Sequence, residues 1–368
     1  MNRQCGIARE VRRVAAEICA RVRPGHKLLN PRIARIISIA LRVLATLIVG
    51  ASAIWGALAL GYQAPGGHAL HAIIVMLWAV LSVAILVALW RGLTALSLLG
   101  FAAAFTVLLV WWHLLQPSND RIWADDVART MTGTIDGSHV TLHNVRNFDW
   151  RSDSDYTQRW ETRHFDLDHL NSVDMIMSYW SGPAIAHMLV SFGFDDADYV
   201  VFSVEIRPER GESFSEIGGF FNEFELSIVA ADERDVIRVR TNVRGEDDYL
   251  YRINMPKSAM RSLFVAYIDE ANGLVAKPRF YNTVTANCTT LVYHMMKRIV
   301  GYLPWNFRLL LTGYLPKYVY RIGGLAPHYS FEELRARGRI TARAKLADRN
   351  ESFSVDIRRD VPGTEAPH

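Results

Sequence analysis

The stretch "AHMLVSFGFDDADYVVFSVEIR", residues 186–207, decides the fold. Two apolar, β-rich runs flank the polar "DDAD", the pattern of two antiparallel strands joined by a turn. A hairpin centred on Asp196 places His187 directly opposite Glu205, and cross-strand partners share one face of a sheet. A slip of one residue would send Glu205 to the other face. His187 opens an apolar strand, where a polar side chain is costly unless it has a partner. Glu205 is the partner this register offers, and an ion pair with an arginine such as Arg240 is the competing role for that carboxylate.

The segments on either side read the same way. "DGSHVTLHNVRNFDW", 136–150, is a turn, a short strand and a polar loop. "DYTQRWETRHFDL", 155–167, is a charged strand. "SVDMIMSYW", 172–180, alternates around Met175 and Met177 as a buried strand. "FNEFELSIVAADERDVIRVRTN", 221–242, repeats strand, acidic turn at Asp232 and Glu233, strand. "DDYLYRINM" adds one more. Helical spacing enters in "PKSAMRSLFVAYIDEANGL", with Pro256 near its start and Gly273 just past its end. It returns after Cys288, where Leu291, Val292, Met295, Met296, Ile299 and Val300 share one helix face and Gly301 stops the helix. The expectation is an α+β domain over 116–368, with an antiparallel sheet and a helix that begins at Cys288.

Ahead of that domain stand three runs without a formal charge: Val43 to Tyr62, Ala72 to Trp90 and Gly92 to Leu115. Each is long enough for a helix across a hydrocarbon core of roughly 30 Å. The leader 1–42 holds ten Arg and Lys against two Glu, the loop "QAPGGHAL" holds none, and Arg91 stands alone between the second and third runs. By the positive-inside rule the N-terminus is cytoplasmic and everything after the third span lies outside. The partition is thus a basic cytoplasmic leader at 1–42, three transmembrane helices at 43–115 and an external domain at 116–368. Trp111, Trp112, Trp123 and Trp150, near the exit, are placed to sit at the interface. With the leader and Arg91 set aside, the external part is net acidic, so the chain's +4 reports topology and nucleic acid is not expected.

Cys5 and Cys19 fall in the leader, which leaves Cys288 the one external cysteine. It sits in "YNTVTANCTTLVYHMMKRIVG", 281–301, where a loop turns into a helix. The unpaired N–H groups and positive dipole end of a helix start favour a thiolate, and the same groups can hold an oxyanion. Asn287, Thr289 and Thr290 are all suitable caps. Two readings stay open, a buried small hydrophobe and a working thiolate. A working thiolate needs a base, and His187 is the candidate, with Glu205 in the orienting role. His164 and His169 with Asp166 and Asp168 match no standard ligand spacing, so neither metal nor cofactor is expected.

Taken in order, "HNVRNFDW", "SYWSGPAIAHMLVSFGF", "SVEIRPERGESFS", "ADERDVIRVRTN" and "YNTVTANCTTLV" resemble the Lnb N-terminal periplasmic domain family, from about Asn119 to near the C-terminus. The resemblance implies a permuted papain-like, NlpC-like fold in which the histidine strand precedes the cysteine helix. It implies Cys288 and His187 as a catalytic dyad, and Glu205 lies in the matching "SVEIR". The Asn-Cys pair at the helix start is similar to that of lecithin:retinol acyltransferase-like enzymes. Members of the Lnb branch are associated with moving an acyl chain from a phospholipid to the amino terminus of a lipoprotein; this chain carries its spans in front of the domain. The localisation implied is the bacterial inner membrane with a periplasmic domain.

Three functions follow from these residues. A membrane-tethered acyltransferase, acting on phospholipid and a lipoprotein amine, requires an apolar groove beside Cys288, and "YLPWNFRLLLTGYLPKYVY", 302–320, is suited to line it. A cysteine peptidase or amidase acting on envelope substrates requires a polar, extended cleft. A non-catalytic envelope protein would bury Cys288 away from His187. The arginine-rich "LRARGRITARAKLADR", 334–349, reads as a solvated helix, with anionic head groups as the alternative contact.

Overall fold

Pro31, whose fixed backbone suits a first helical turn, opens the first of three long apolar helices: α1 (Pro31–Gln63), α2 (His68–Trp90) and α3 (Thr94–Leu114). The computed structural model describes residues 30–213 and 215–364, so the leader with Cys5 and Cys19 lies mostly outside the described residues. All three helices are long and apolar enough to cross a membrane. The first begins twelve residues earlier than its charge-free run suggests, so Arg32, Arg35 and Arg42 stand on the helix itself. Val49, Trp78, Phe101 and Leu108 form the small buried core of this unit. Gly56 allows the close approach, because a Cβ there would lie 2.7 Å from Leu108 and Trp78.

From Leu114 onward the chain forms a second compact unit. Its strands are β1 (Thr132–Asp136), β2 (His139–Arg146), β3 (Asp149–Trp150), β4 (Tyr156–Thr157), β5 (Trp160–Asp166), β6 (Leu170–Ser181), β7 (Ile185–Phe194), β8 (Tyr199–Arg207), β9 (Glu225–Ala231) and β10 (Asp247–Arg252). The main sheet runs β1-β2-β9-β8-β7-β6-β10, with β5 also on β2, and β3 pairs β4 separately. The expected all-antiparallel sheet is in fact mixed, since β2 meets β9 in parallel at Arg146 and Ala231. The contact is held from outside the ladder. Arg146 binds Asp235 at 2.9 Å, and Arg163 of β5 binds Asp232 at 2.6 Å, so both residues just past β9 are tied to the β2–β5 pair. At the other edge, β10 is covered by single bridges Tyr249–Arg339 and Ile253–Leu325, which shield a sheet edge from further pairing.

The second arm of 221–242 is not a strand. After β9 the chain turns into α4 (Glu233–Arg238) and a π-helical turn, Val239–Arg244. The Asp232 carboxylate accepts from the Arg234 N–H and caps the helix. The helical path then buries Asp235, which receives Arg146, the Phe148 N–H and the Trp150 indole N–H. An extended chain could not deliver Asp235 to all three donors.

The remaining helices are α5 (Lys257–Ala276), α6 (Thr290–Val300), α7 (Leu315–Arg321), α8 (Phe331–Gly338), α9 (Thr341–Ala347) and α10 (Phe353–Asp356). Gly273 lies inside α5 rather than beyond it, whereas Gly301 does end α6, with φ +80°. One face of the sheet packs on α5 and α6 through Phe192, Phe202, Phe264 and Tyr267. The other packs Leu189, Val201 and Val229 against α4, α9 and α10 through Val236, Ile340 and Phe353. Burying each such side chain contributes roughly 1.5–3 kcal/mol. The arginine-rich segment therefore belongs to a core through Ile340, Ala344 and Ala347, and it is not simply a solvated helix. Trp123 and Trp150 are likewise buried within the domain and not available to an interface.

Candidate active site

The β7–β8 hairpin pairs Gly193 with Tyr199 and continues to Leu189 with Ser203, symmetric about Asp196 as the alternation predicts. The ladder stops there, two residues short of His187 and Glu205. The two side chains still meet: His187 Nε2 lies 3.2 Å from Glu205 Oε1. Ser203 stands between them. Its hydroxyl donates to Glu205 at 2.6 Å, which leaves its lone pairs to accept the Nε2–H of His187 at 2.7 Å. Glu205 also accepts from Arg240 at 3.1 Å, so both roles weighed for it hold at once. This chain of donors fixes the tautomer: Nε2 carries a proton, and Nδ1 is left for another partner.

Cys288 is near enough to interact with His187 and with the backbone of Met188, and its sulfur lies 4.0 Å from the Thr289 hydroxyl. The local sequence explains the placement. Asn287 is buried and its side-chain oxygen accepts from the N–H of Thr289 at 2.9 Å and of Thr290 at 2.8 Å, so among the three suitable caps it is Asn287 that caps the helix. Its amide donates back to Thr283 O at 2.6 Å. The residue after this double anchor has its position fixed, and that residue is Cys288.

Burial alone would raise the thiol, but the hydrogen bond and charge of His187, with the Met188 N–H, bring it below its ordinary value. Burial likewise opposes the imidazolium, yet the Glu205 charge, the Cys288 thiolate and their hydrogen bonds raise His187 to about 9. Glu205 is held well below the usual carboxylate range despite its burial, by His187 first and then Arg240 and Ser203. The arrangement therefore favours a thiolate beside an imidazolium over the neutral pair. Beside it, burial and the neighbouring Cys288 and Glu205 charges keep the Tyr281 phenol protonated far above its ordinary value.

A cavity of about 780 Å³ is lined in part by Met188 and Thr289, the neighbours of His187 and Cys288 in sequence. Val173, Met175 and Val190 of the sheet, Leu263 of α5 and Val292 of α6 give it apolar walls. Tyr302, Leu303, Pro304, Leu309, Leu315 and Tyr318 complete it, so the 302–320 segment lines the groove it is suited to line. The volume lies within the range of about 300–1,000 Å³ typical of small-molecule sites.

The structure thus brings Cys288, His187 and Glu205 together. It leaves His164 on an exposed strand against Thr141 and pairs His169 with Asp195 at 2.6 Å, both remote from the site. Sequence reading missed Ser203 and Tyr281. Strand parity puts Ser203 on the face of Glu205, and that was the available signal; Tyr281 carried none. No curated protein and no solved structure matches the chain significantly. Residues 156–313, which hold the hairpin, Glu205 and Cys288, match the family model of the Lnb N-terminal periplasmic domain, and this segment of the membrane-anchored chain is a domain of that family.

Proposed function

We propose that the protein is a thiol acyltransferase of the bacterial inner membrane, with a cytoplasmic N-terminus, a permuted papain-like periplasmic domain and the dyad Cys288–His187 oriented by Glu205. The apolar cavity lined by Met188 and Thr289, each one residue from a member of the dyad, carries this reading. A peptide cleft needs polar groups for a backbone, whereas these walls suit a hydrocarbon chain, each buried methylene of which contributes about 0.8 kcal/mol.

The chemistry is a two-step exchange. The Cys288 thiolate attacks a phospholipid ester carbonyl; a C–S bond forms, the C–O bond breaks, and the His187 imidazolium protonates the departing alkoxide to give a lysophospholipid. An amine, such as the amino terminus of a lipoprotein, then attacks the thioester. The C–N bond forms as the C–S bond breaks, and the now neutral His187 takes the amine proton, restoring the ion pair. Nδ1 is the nitrogen that transfers the proton, while Ser203 and Glu205 hold Nε2.

The test is to incubate the purified full chain with phospholipid bearing an alkyne-tagged acyl chain. A hydroxylamine-sensitive tag on Cys288, absent in Cys288→Ala and passed to an amine-terminated lipopeptide, is the expected result. Tagged fatty acid released at the same rate with or without the lipopeptide would make the enzyme a hydrolase. An untagged Cys288 would sink both.

A further inference from the structure

The segment that closes the cavity presents an unusual surface. Tyr302 is 78 % exposed, Trp305 67 % and Phe307 50 %, with Leu310, Leu311 and Ile322 also outward. Monomeric soluble domains rarely expose so continuous an apolar patch without a partner for it. The loop is nonetheless held in place. The Tyr293 hydroxyl donates to Leu303 O and the Tyr318 hydroxyl to Pro304 O, each at 2.9 Å, and Asn306 Oδ1 caps the turn at Arg308. An exposed aromatic loop fixed from beneath is arranged for contact before any contact is made.

Charge identifies the contact. From Ala271 to Phe331 the sequence contains no Asp or Glu, while Lys277, Arg279, Lys297, Arg298, Arg308, Lys317 and Arg321 all fall within it. Among the described residues, Lys297, Arg298, Lys317 and Arg321 are exposed and form no ion pair with an acidic side chain. Aromatic side chains interleaved with unpaired cations suit the head-group region of an anionic bilayer, which takes the rings at its boundary and the cations at its phosphates. Tyr302 and Pro304 belong both to this surface and to the wall of the cavity. The patch is therefore part of the rim of the cavity that Met188 and Thr289 also line.

We infer that the surface formed by residues 300–322 docks on anionic phospholipid head groups and opens the cavity directly to the bilayer, an inference that rests on the acyl-transfer reading for its purpose but not for its geometry. A second copy of the chain fits less well, because the patch would meet its own cations.

The experiment uses the full chain with Cys5, Cys19 and Cys288 replaced by serine, serine and alanine, and a nitroxide attached at Trp305→Cys. It is reconstituted into phosphatidylcholine vesicles with and without phosphatidylglycerol. With phosphatidylglycerol, collision with oxygen should rise and collision with an aqueous nickel chelate should fall several-fold, and Lys317→Glu with Arg321→Glu should reverse both. A label at Ile135→Cys, on β1, should stay aqueous throughout. A label at 305 that remains open to the chelate in both lipids overturns the inference. So does a label shielded in detergent as well as in vesicles with a cross-linked dimer, which would give the surface to a second copy. Because Cys288 is absent from this protein, the outcome is independent of the chemistry: docking without acylation of the native enzyme would fault only the acyl-transfer reading, and acylation without docking only this one.

Discussion

The two faces of the sheet have opposite interiors although the same strands build both. Toward α5 and α6, β7 and β8 present Met188, Val190, Phe192, Val200, Phe202 and Val204, and an apolar cavity large enough for a ligand lies on this side. Toward α4 and α10, the alternate residues include Ser191, Ser203 and Glu205, set among buried Glu233, Asp174, Arg240 and Arg358. Arg358 alone binds Glu233 at 2.6 Å and Asp174 at 2.9 Å. The first face determines what can lie beside the thiol. The second sets the protonation of the histidine. Cys288 belongs to the apolar core and His187 to the charged side by strand parity, and they meet only where the β7–β8 ladder ends.

The largest expected effect comes from cutting this link. Wild-type Cys288 should alkylate with iodoacetamide at an almost constant rate from the depressed thiol pKa up to about 9, where His187 loses its proton. His187→Ala should return the thiol toward an ordinary pKa near 8.5, at which only about 1 % is thiolate at pH 6.5, a loss of about a hundredfold. Glu205→Gln keeps the imidazole but removes its counter-charge, so the upper limit should move below 9 and the loss at pH 6.5 should be nearer tenfold, about one pKa unit. Equal profiles for all three proteins would mean that the charged face does not tune the thiol, and the contrast between the faces would lose its functional meaning.

The apolar face is tested from the cavity. Ala259 on α5 lines it and is buried. Ala259→Phe should cut long-chain acyl labelling of Cys288 about tenfold, leave iodoacetamide labelling unchanged, and cost about 1–3 kcal/mol of stability through overpacking. Parallel loss of both labels would show that the substitution disturbs the dyad itself, and short-chain labels then give the sharper comparison.

The hairpin was legible from sequence because two independent signals, strict alternation and a four-residue polar turn, agreed on one register, which the pairing of Leu189 with Ser203 follows. Ser203 went unread because a serine in a strand looks the same whether it faces solvent or bridges a histidine and a glutamate. The "VIRVR" of α4 and the π-turn alternates as a strand would, and what makes it helical is tertiary: Asp235 answers donors on Arg146, Phe148 and Trp150, more than eighty residues earlier. The parallel contact of β2 with β9 has the same origin. The cavity had no local signature beyond the composition of 302–320, because its walls come from the sheet, α5, α6 and that segment together.

The smallest predicted effect probes how finely the charged face is balanced. Ser178 contacts both Glu246 and Asp248. One hydroxyl proton cannot serve two carboxylates, so the second contact requires a proton on a carboxyl. Burial raises Asp248 to about 7, against the Ser178 hydrogen bond and the Arg240 charge and with the help of Glu246 and Asp247. A carboxyl whose pKa is higher in the folded state binds protons more tightly there, so folding is favoured below its unfolded pKa near 3.8 and loses that contribution as pH rises to about 7. Asp248→Asn keeps an N–H donor in place of the bound proton and removes the titration. The variant should therefore match the wild type in thermal unfolding at pH 4 and exceed it at pH 8, by on the order of 2 kcal/mol once neighbouring groups relax. A difference that does not change with pH would mean that Arg240 stabilises an ionised Asp248, and would make the second face a fixed set of ion pairs with no proton to lose near neutrality.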